Sequence, residues 1–346
     1  MKIIKTLWCA LPCAVLPLSA QEEPAPSSPA PPVLEWSQPD PIRLAGPHAR
    51  HQVVISARQD NSPPFDVTHE VRFRSEPEGI VQIDSTGLVR TLSDGTATIT
   101  AVFKGVESSP RQVTVDRFAQ TIPVSFPNEV VPILTRHGCN GGGCHGKAEG
   151  QNGFKLSLLG YEPWNDHEYL VMESRGRRIF RAAPEHSLFL LKGTGDLPHQ
   201  GGSRLEKNGD DYQLLVRWIK QGLSYGPEED PVVERIEVAP RESLSRPHAA
   251  QQLRVTAFFN DGSTRDVTRI AQYESKEEEM AEVDENGHVT LKDSPGSTSI
   301  MIRFQEHVDV FRATIPLGAP VDNLPEPVNL IDERIFAKLK TLGLPP

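Results

Sequence analysis

The sequence 66-DVTHEVRFRSEPEGIVQIDSTGLVR-90 returns without a gap as 266-DVTRIAQYESKEEEMAEVDENGHVT-290. Identical residues in the two copies include Asp66/Asp266, Val67/Val267, Thr68/Thr268, Ser75/Ser275, Asp84/Asp284, Gly87/Gly287 and Val89/Val289. Flanking segments repeat at about the same offset: 52–59 with 252–259, and 95–105 with 296–306. The repeat indicates a duplicated module of roughly 85 residues.

Both copies alternate apolar and polar residues, which is the pattern of half-buried β-strands. Turn sequences containing glycine separate the predicted strands, as at 84–87 and 284–287. Several short strands joined by such turns predict an antiparallel β-sandwich. The motif D-V-T, then S, then an alternating strand with D-x-x-G-x-V, resembles the bacterial immunoglobulin-like (Ig-like) domains of group 2. The resemblance covers 34–117 and 230–317, and it implies spacers or binding modules of exported proteins.

The N-terminus has the features of a secretory signal peptide. Lys2 and Lys5 precede an apolar stretch that is too short to span a bilayer, and Ser19-Ala20 offers a cleavage point. We therefore predict removal of residues 1–20, a Pro-rich linker at 21–33, and export to the periplasm or cell surface, with no transmembrane segment left after cleavage. Lipidation at Cys9 or Cys13 is the alternative, although neither follows the small residues that a lipobox requires.

Charge and cysteine content limit the classes of function. The net charge of −10 does not suggest a nucleic-acid-binding face. Of the four cysteines, two fall in the signal segment, so the mature chain keeps only Cys139 and Cys144. One pair of thiols does not make a disulfide-rich scaffold.

The middle segment, 120–228, has a helical rather than an alternating pattern. A short apolar helix is predicted just before Cys139, and an amphipathic helix with Trp218 on its apolar face is predicted within 210–226. A small helical domain has a limited core and would gain from a large apolar cofactor.

The cluster Cys139-x4-Cys144-His145 leaves three interpretations open. A disulfide would close a very small loop and leave His145 without a role. A zinc site could use both thiols, His145 and His137, but no second cysteine pair is present. A haem site normally has the spacing C-x-x-C-H, and here the two extra residues extend a run of glycines that can fold into a bulge.

The run G-C-N-G-G-G-C-H-G-K, together with later G-R-R and L-P-H-Q-G-G motifs, resembles the cytochrome c-like domain of large exported proteins of planctomycetes. This resemblance implies an all-α haem domain at 120–228 between the two sandwiches. It implies covalent haem c, with Cys139 and Cys144 as thioether donors and His145 as the proximal iron ligand. His199 is predicted as the distal ligand, with Met172 or an open position as alternatives, and Arg177 and Arg178 as partners of the haem propionates.

Residues 328–346 are similar to the opening helix of an uncharacterised domain that follows in such proteins, so we expect a truncated C-terminal domain there. The leading functional prediction is a one-electron transfer module that is not itself an enzyme and that serves an unidentified redox partner. The alternative is a cell-surface adhesion or carbohydrate-binding protein whose middle domain is structural and whose Ig-like modules contact a surface or polysaccharide.

Overall fold

The computed structural model describes residues 31–38, 41–60 and 62–345. The predicted signal peptide and residues 21–30 of the predicted linker lie outside this part of the chain. Two β-modules occupy the positions of the sequence repeat, and a middle segment with short helices lies between them in the chain.

The first module contains the strands of the first repeat. They are β1 (Val33–Trp36), β2 (Ile42–Ala45), β3 (Arg50–Gln52), β4 (Ile55–Arg58), β5 (Phe65–Asp66), β6 (Arg72–Glu76), β7 (Val81–Ile83), β8 (Leu88–Thr91), β9 (Gly95–Phe103), β10 (Val106–Glu107) and β11 (Arg111–Asp116). Its sheets have the orders β1-β4-β5, β10-β9-β11-β2 with β6 also on β9, and β3-β8-β7. All pairs are antiparallel except β2 with β11.

The second module repeats this topology. Its strands are β12 (Val233–Ala239), β13 (Glu242–Leu244), β14 (Ala250–Gln252), β15 (Arg254–Phe259), β16 (Thr264–Asp266), β17 (Gln272–Ser275), β18 (Ala281–Val283), β19 (His288–Leu291), β20 (Gly296–Phe304) and β21 (His307–Ile315). The sheet orders are β12-β15-β16, β13-β21-β20-β17 and β14-β19-β18. The parallel pair recurs as β13 with β21, and every strand of the first module except β10 has a counterpart in the second, which supports the predicted duplication.

The middle segment contains short helices separated by turns. They are α1 (Val131–Arg136), α2 (Pro163–Val171), α3 (Leu188–Gly193) and α4 (Asp210–Lys220), with a π-helical turn at Phe126–Val130 and 3-10 turns at Leu158–Gly160, Glu173–Gly176 and Pro184–His186. The backbone has positive φ at Leu159, Ser174 and Arg175. Because a residue in this left-handed conformation cannot extend a right-handed helix, the helical turns end there.

The predicted fold class, two Ig-like sandwiches flanking an all-α cytochrome c-like domain, is therefore wrong. The Ig-like modules fit, but the described residues form mostly β-sheet, and no all-α domain occurs among them. The helices between the modules have only 6, 9, 6 and 11 residues, and irregular backbone separates them.

The arrangement of the apolar cores explains why no helical bundle is needed. The first module has a core of its own, built around residues such as Ile55 and Ile99. The middle segment and the second module instead share one continuous core, in which Trp218 and Phe126 join Phe304 and Phe311. The middle segment therefore obtains a large apolar interior from the adjacent sandwich rather than from a cofactor at its own centre.

A last helix, α5 (Leu330–Leu342), coincides with the segment predicted as the start of a further domain. Asn329 caps its N-terminus through hydrogen bonds from the backbone amides of Ile331 and Asp332. None of its residues is buried. Its apolar side chains Leu330, Ile331 and Ile335 are largely exposed.

Candidate functional site

The loop that carries Cys139, Cys144 and His145 follows directly on α1 and folds back on itself. The Cys139 amide donates to the Leu134 carbonyl at 2.8 Å, and the His145 amide donates to the Cys139 carbonyl at 3.0 Å. A Cβ atom on Gly146 would lie 1.9 Å from the Asn140 carbonyl oxygen, so only glycine fits there. Gly146 is thus required by the tight local turn, whereas Gly142 and Gly143 have room for a Cβ atom.

The two cysteines carry free thiols, and no disulfide joins them in the described chain. Burial, and then the neighbouring Cys144, raises the pKa of the Cys139 thiol to about 11. At neutral pH this thiol is protonated, and a protonated thiol is a poor nucleophile and a poor metal ligand. Cys139 packs against the core shared by the middle segment and the second module.

The rings of His145 and His199 lie close together in the structure. Their rings lie 6.3 Å apart between centroids and are within 6° of parallel. The Nδ1 atom of His145 bonds the Phe154 carbonyl, and that of His199 bonds the Gly202 carbonyl, each at 2.9 Å. Because a carbonyl only accepts, the Nδ1 atom of each ring is the donor in these bonds. Burial lowers the pKa of His145, so this imidazole is neutral at pH 7.

Of the other predicted site residues, Arg178 lies near His145, because both pack on the Phe154 ring, whereas Arg177 and Met172 are exposed. Arg178 is buried, and its guanidinium donates to the carbonyls of Tyr169 and Glu173 at 2.8 and 3.1 Å while covering the Phe154 ring. Arg177 is exposed. Met172 lies at the end of α2 with 68% of its surface exposed. The individual ligand roles given to these residues stay predictions.

The predicted cofactor, haem c, is wrong on these findings. The described residues form no all-α cytochrome-like domain. In the same part of the chain, no group of three or more His, Cys, Asp or Glu side chains is placed to hold a metal ion. The zinc alternative for the cysteine loop meets the same obstacle.

A buried ionic cluster next to this loop was missed from the sequence. His137 Nε2 lies 2.9 Å from Asp211 Oδ2, and Arg136 pairs with the same oxygen at 3.0 Å. Arg136 also donates to the Arg269 carbonyl and pairs with Glu285 at 3.3 Å. The cluster therefore ties α1 and α4 to the second module. Its only sequence signal was the run of charged residues at the predicted end of one helix and start of another.

A second feature missed from the sequence is a reciprocal contact between the two β-modules. The backbone N–H of Gln52 donates to Asp266 Oδ2 at 2.9 Å, and the backbone N–H of Gln252 donates to Asp66 Oδ2 at 2.6 Å. Arg269 donates to the Gln52 side-chain oxygen at 2.7 Å, and His69 bonds that of Gln252 at 3.0 Å.

Every residue in this contact has its counterpart 200 positions away, so each bond has an equivalent with the modules exchanged. This is the arrangement of an isologous dimer, formed here within one chain. Gln52 and Gln252 are 0% and 1% exposed. The recurrence of a glutamine at the same position of both copies was the signal that could have revealed the contact.

The electrostatics of the reciprocal contact differ between its two halves. Burial raises the pKa of Asp66 to about 6, against the opposing hydrogen bonds from Thr68 and Gln252. Asp266 lies near Arg254 and Arg269 as well as His51. The second carboxylate is therefore compensated by positive charge, whereas the first depends mainly on neutral donors.

Comparison with known families supports the β-modules. The model of the bacterial Ig-like domain (group 2) matches residues 53–115, which confirms the predicted resemblance for the first module. A comparison with curated proteins gave no significant match. No helix in the described part of the chain has the length and apolar character needed to cross a bilayer.

Several solved structures show weak similarity to the chain. Domains 5–6 of the S-layer protein SbsC are 10% identical, with 82% of this chain and 99% of that one covered and a TM-score of 0.31. The S-layer protein rSbsC(31-844) is 12% identical over 79% of this chain, with a TM-score of 0.22, and this chain spans only 24% of its length. The Yersinia pseudotuberculosis adhesin InvE is 9% identical, with 84% and 60% covered and a TM-score of 0.17. TM-scores this low do not establish a shared overall fold or function.

Proposed function

We propose that this chain is an exported protein that acts at the cell surface by binding rather than by catalysis. In this proposal the two Ig-like modules form one fixed recognition unit, and the middle segment is structural. The match of residues 53–115 to the bacterial Ig-like family supports this class of function. Electron transfer is not part of the proposal, because the prediction of haem c, the cofactor that would carry the electron, was wrong.

The reciprocal contact carries the proposal. Spacer modules on a flexible linker would leave their facing surfaces free, whereas here Asp66 and Asp266 each accept backbone amides of the opposite module. Hydrogen bonds to a charged group contribute about 1.5–3 kcal/mol each when they are shielded from water. The contact therefore favours a single relative orientation of the modules, which is what a binding surface built from both of them requires.

The fixed orientation can be tested by small-angle X-ray scattering of the mature chain. The double variant Asp66→Ala/Asp266→Ala should show a larger radius of gyration than the wild type, because both halves of the contact lose their acceptor. Asp116→Ala is the matched control, since this carboxylate is 64% exposed and pairs only with neighbouring Arg117. Equal scattering from the double variant and the wild type would show that the contact does not set the orientation.

The surface role can be tested separately. After fractionation of the producing cells, the chain should be found outside the cytoplasm, and the labelled mature chain should bind isolated cell envelopes saturably. The double variant should bind more weakly than Asp116→Ala. Retention in the cytoplasm, or binding no stronger than that of an unrelated Ig-like protein, would refute the proposed function.

A further inference from the structure

A large cleft lies between the two β-modules and is closed on one side by the middle segment. It has a volume of about 1040 Å³ and is lined by β2 and the β2–β3 turn, by the segment 122–125 with α4, and by β12, β15 and β16. We call it the inter-module cleft. A volume at the upper end of the usual range for ligand sites suits an oligomeric ligand better than a single ion.

The charge of the inter-module cleft is opposite to that of the chain. Seven arginines line it against four carboxylates, although the whole protein has a net charge of −10. A cleft with one predominant sign of charge attracts ligands of the other sign. The strongly negative remainder would repel a long polyanion such as nucleic acid, so the positive charge favours a short ligand with a few anionic groups.

Two of these arginines have unused donors. Arg254 is only 9% exposed, and its Nε has no hydrogen-bond partner within the described chain. The Arg217 side chain, in the last turn of α4, makes no hydrogen bond or ion pair to another described residue. A buried donor without a partner is costly, and a guanidinium offers the planar pair of N–H groups that matches a carboxylate or sulfate.

The surroundings of Arg217 strengthen the positive field. Burial, and then the charges of Arg217 and Arg50, lower the pKa of His48 at the rim of the cleft. Arg217 lies near the carboxylate of Glu129 as well as near Arg50, but in the described chain it forms no ion pair with Glu129, and Arg50 is paired with Asp210 at 2.9 Å. An anionic group placed beside Arg217 would supply the direct hydrogen-bonding partner that Glu129 does not.

Neutral hydrogen-bonding groups accompany the arginines. Thr256, Ser263 and Thr264 line the wall formed by the second module. Cationic groups together with hydroxyls suit a ligand that carries both acid groups and hydroxyls. We propose that the inter-module cleft binds an acidic oligosaccharide, whose carboxylate or sulfate groups pair with Arg217 and Arg254. This proposal rests on the surface-binding function and names its ligand class.

The test is titration calorimetry of the mature chain with an oligogalacturonate of about six sugars and with a neutral oligosaccharide of the same length. The acidic sugar should bind and the neutral one should not, and raising the salt concentration should weaken binding. Arg217→Ala should weaken binding at least about tenfold, since it removes a charge-assisted hydrogen-bonding partner. Arg74→Ala, an exposed arginine on β6 outside the cleft, should leave binding unchanged.

Arg254→Gln tests the buried donor, with urea unfolding to verify that the variant folds. If it does not fold, the partly exposed Arg217 still decides the outcome. The proposal would be overturned if the wild type did not bind oligogalacturonate, or if Arg217→Ala bound it with the same affinity as the wild type. Tighter binding of poly-glutamate than of oligogalacturonate would also overturn it. So would inorganic sulfate that binds as tightly as the oligosaccharide.

The failure of this proposal can be distinguished from failure of the proposed function. If the wild type binds cell envelopes and Arg217→Ala binds them equally well, only the assignment of the cleft is overturned. If the wild type does not bind envelopes at all, the surface role itself is refuted.

Discussion

The two β-modules have the same strand order, but they differ in charge where they face each other. Val54 of the first module corresponds to Arg254 of the second, and His69 corresponds to Arg269. The buried carboxylate of the second module therefore has cationic neighbours, whereas that of the first is held mainly by neutral donors. The two copies share the geometry of the contact, and the residues that differ between them make its two halves electrostatically unequal.

The largest expected effect separates the two halves of the contact. Asp266→Asn should lower the free energy of unfolding by about 3–5 kcal/mol at pH 7, because Arg254 and Arg269 lose their compensating charge. Asp66→Asn should lower the free energy of unfolding by less than about 1 kcal/mol. The variant weakens the hydrogen bonds to this side chain, but it also removes a poorly solvated charge, and the two effects offset each other. Urea unfolding measures both variants, and similar losses would contradict the inferred asymmetry.

The same asymmetry predicts a pH dependence. The pKa of Asp66 is about 6 in the folded chain against an ordinary value of 3.8, so the folded state binds this proton more tightly. Its stabilising contribution is complete below about pH 4 and is lost as the pH rises through about 6, a change of about 3 kcal/mol. The free energy of unfolding of the wild type, relative to that of Asp66→Asn, should therefore be higher at pH 4 than at pH 7.5. A difference that does not vary with pH would argue against a raised pKa.

Two adjacent carboxylates at the start of α4 have unequal surroundings: Asp211 pairs with Arg136, which in turn contacts the second module, whereas Asp210 pairs directly with the first module. Asp211→Asn should cost about 2 kcal/mol, because Asp211 and Arg136 are each only 9% exposed at the side chain. Asp210→Asn should cost less than about 0.5 kcal/mol, because its pairs with Arg50 and Arg90 of the first module are partly solvated. Thermal or urea unfolding of both variants tests this, and the reverse order would mean that the first module is the more firmly attached one.

The smallest effect concerns position 73/273, which is Phe in the first module and Tyr in the second. Tyr273 donates to the Thr268 carbonyl at 2.9 Å, and burial raises the pKa of its hydroxyl. Tyr273→Phe removes this hydrogen bond and should cost about 1 kcal/mol. Phe73→Leu serves as a packing control in the first module. A neutral Tyr273→Phe would show that the hydroxyl does not distinguish the modules.

The β-modules were predictable because their signals are local and repeated. Strand alternation and the Asp84–Gly87 turn depend on residues close in sequence, and the second copy tests the first. The inter-module contact was not predictable in the same way, since it joins Gln52 to Asp266 across more than half of the chain. Periodicity indicates which face of a strand is buried, but it does not identify the partner of a buried polar group.

For the candidate site, the sequence analysis singled out His145 and His199, whose rings lie close together. Their predicted roles as iron ligands are untested by this arrangement. The all-α domain and haem c were wrong because short apolar runs near Leu134 and Trp218 were taken as a bundle that lacked a core. Their apolar partners are supplied by the second module instead. A helical pattern predicts a buried face, but it does not show that the burying surface belongs to the same domain.

The shared core also decides where the chain can be divided. A fragment that ends after β11 keeps every member of the first core, whereas one that begins at β12 separates Trp218 and Phe126 from the residues they pack with. The sequence repeat and the cooperative folding units therefore do not coincide. The first copy has a complete core of its own, whereas the second completes its core only together with the segment that precedes it.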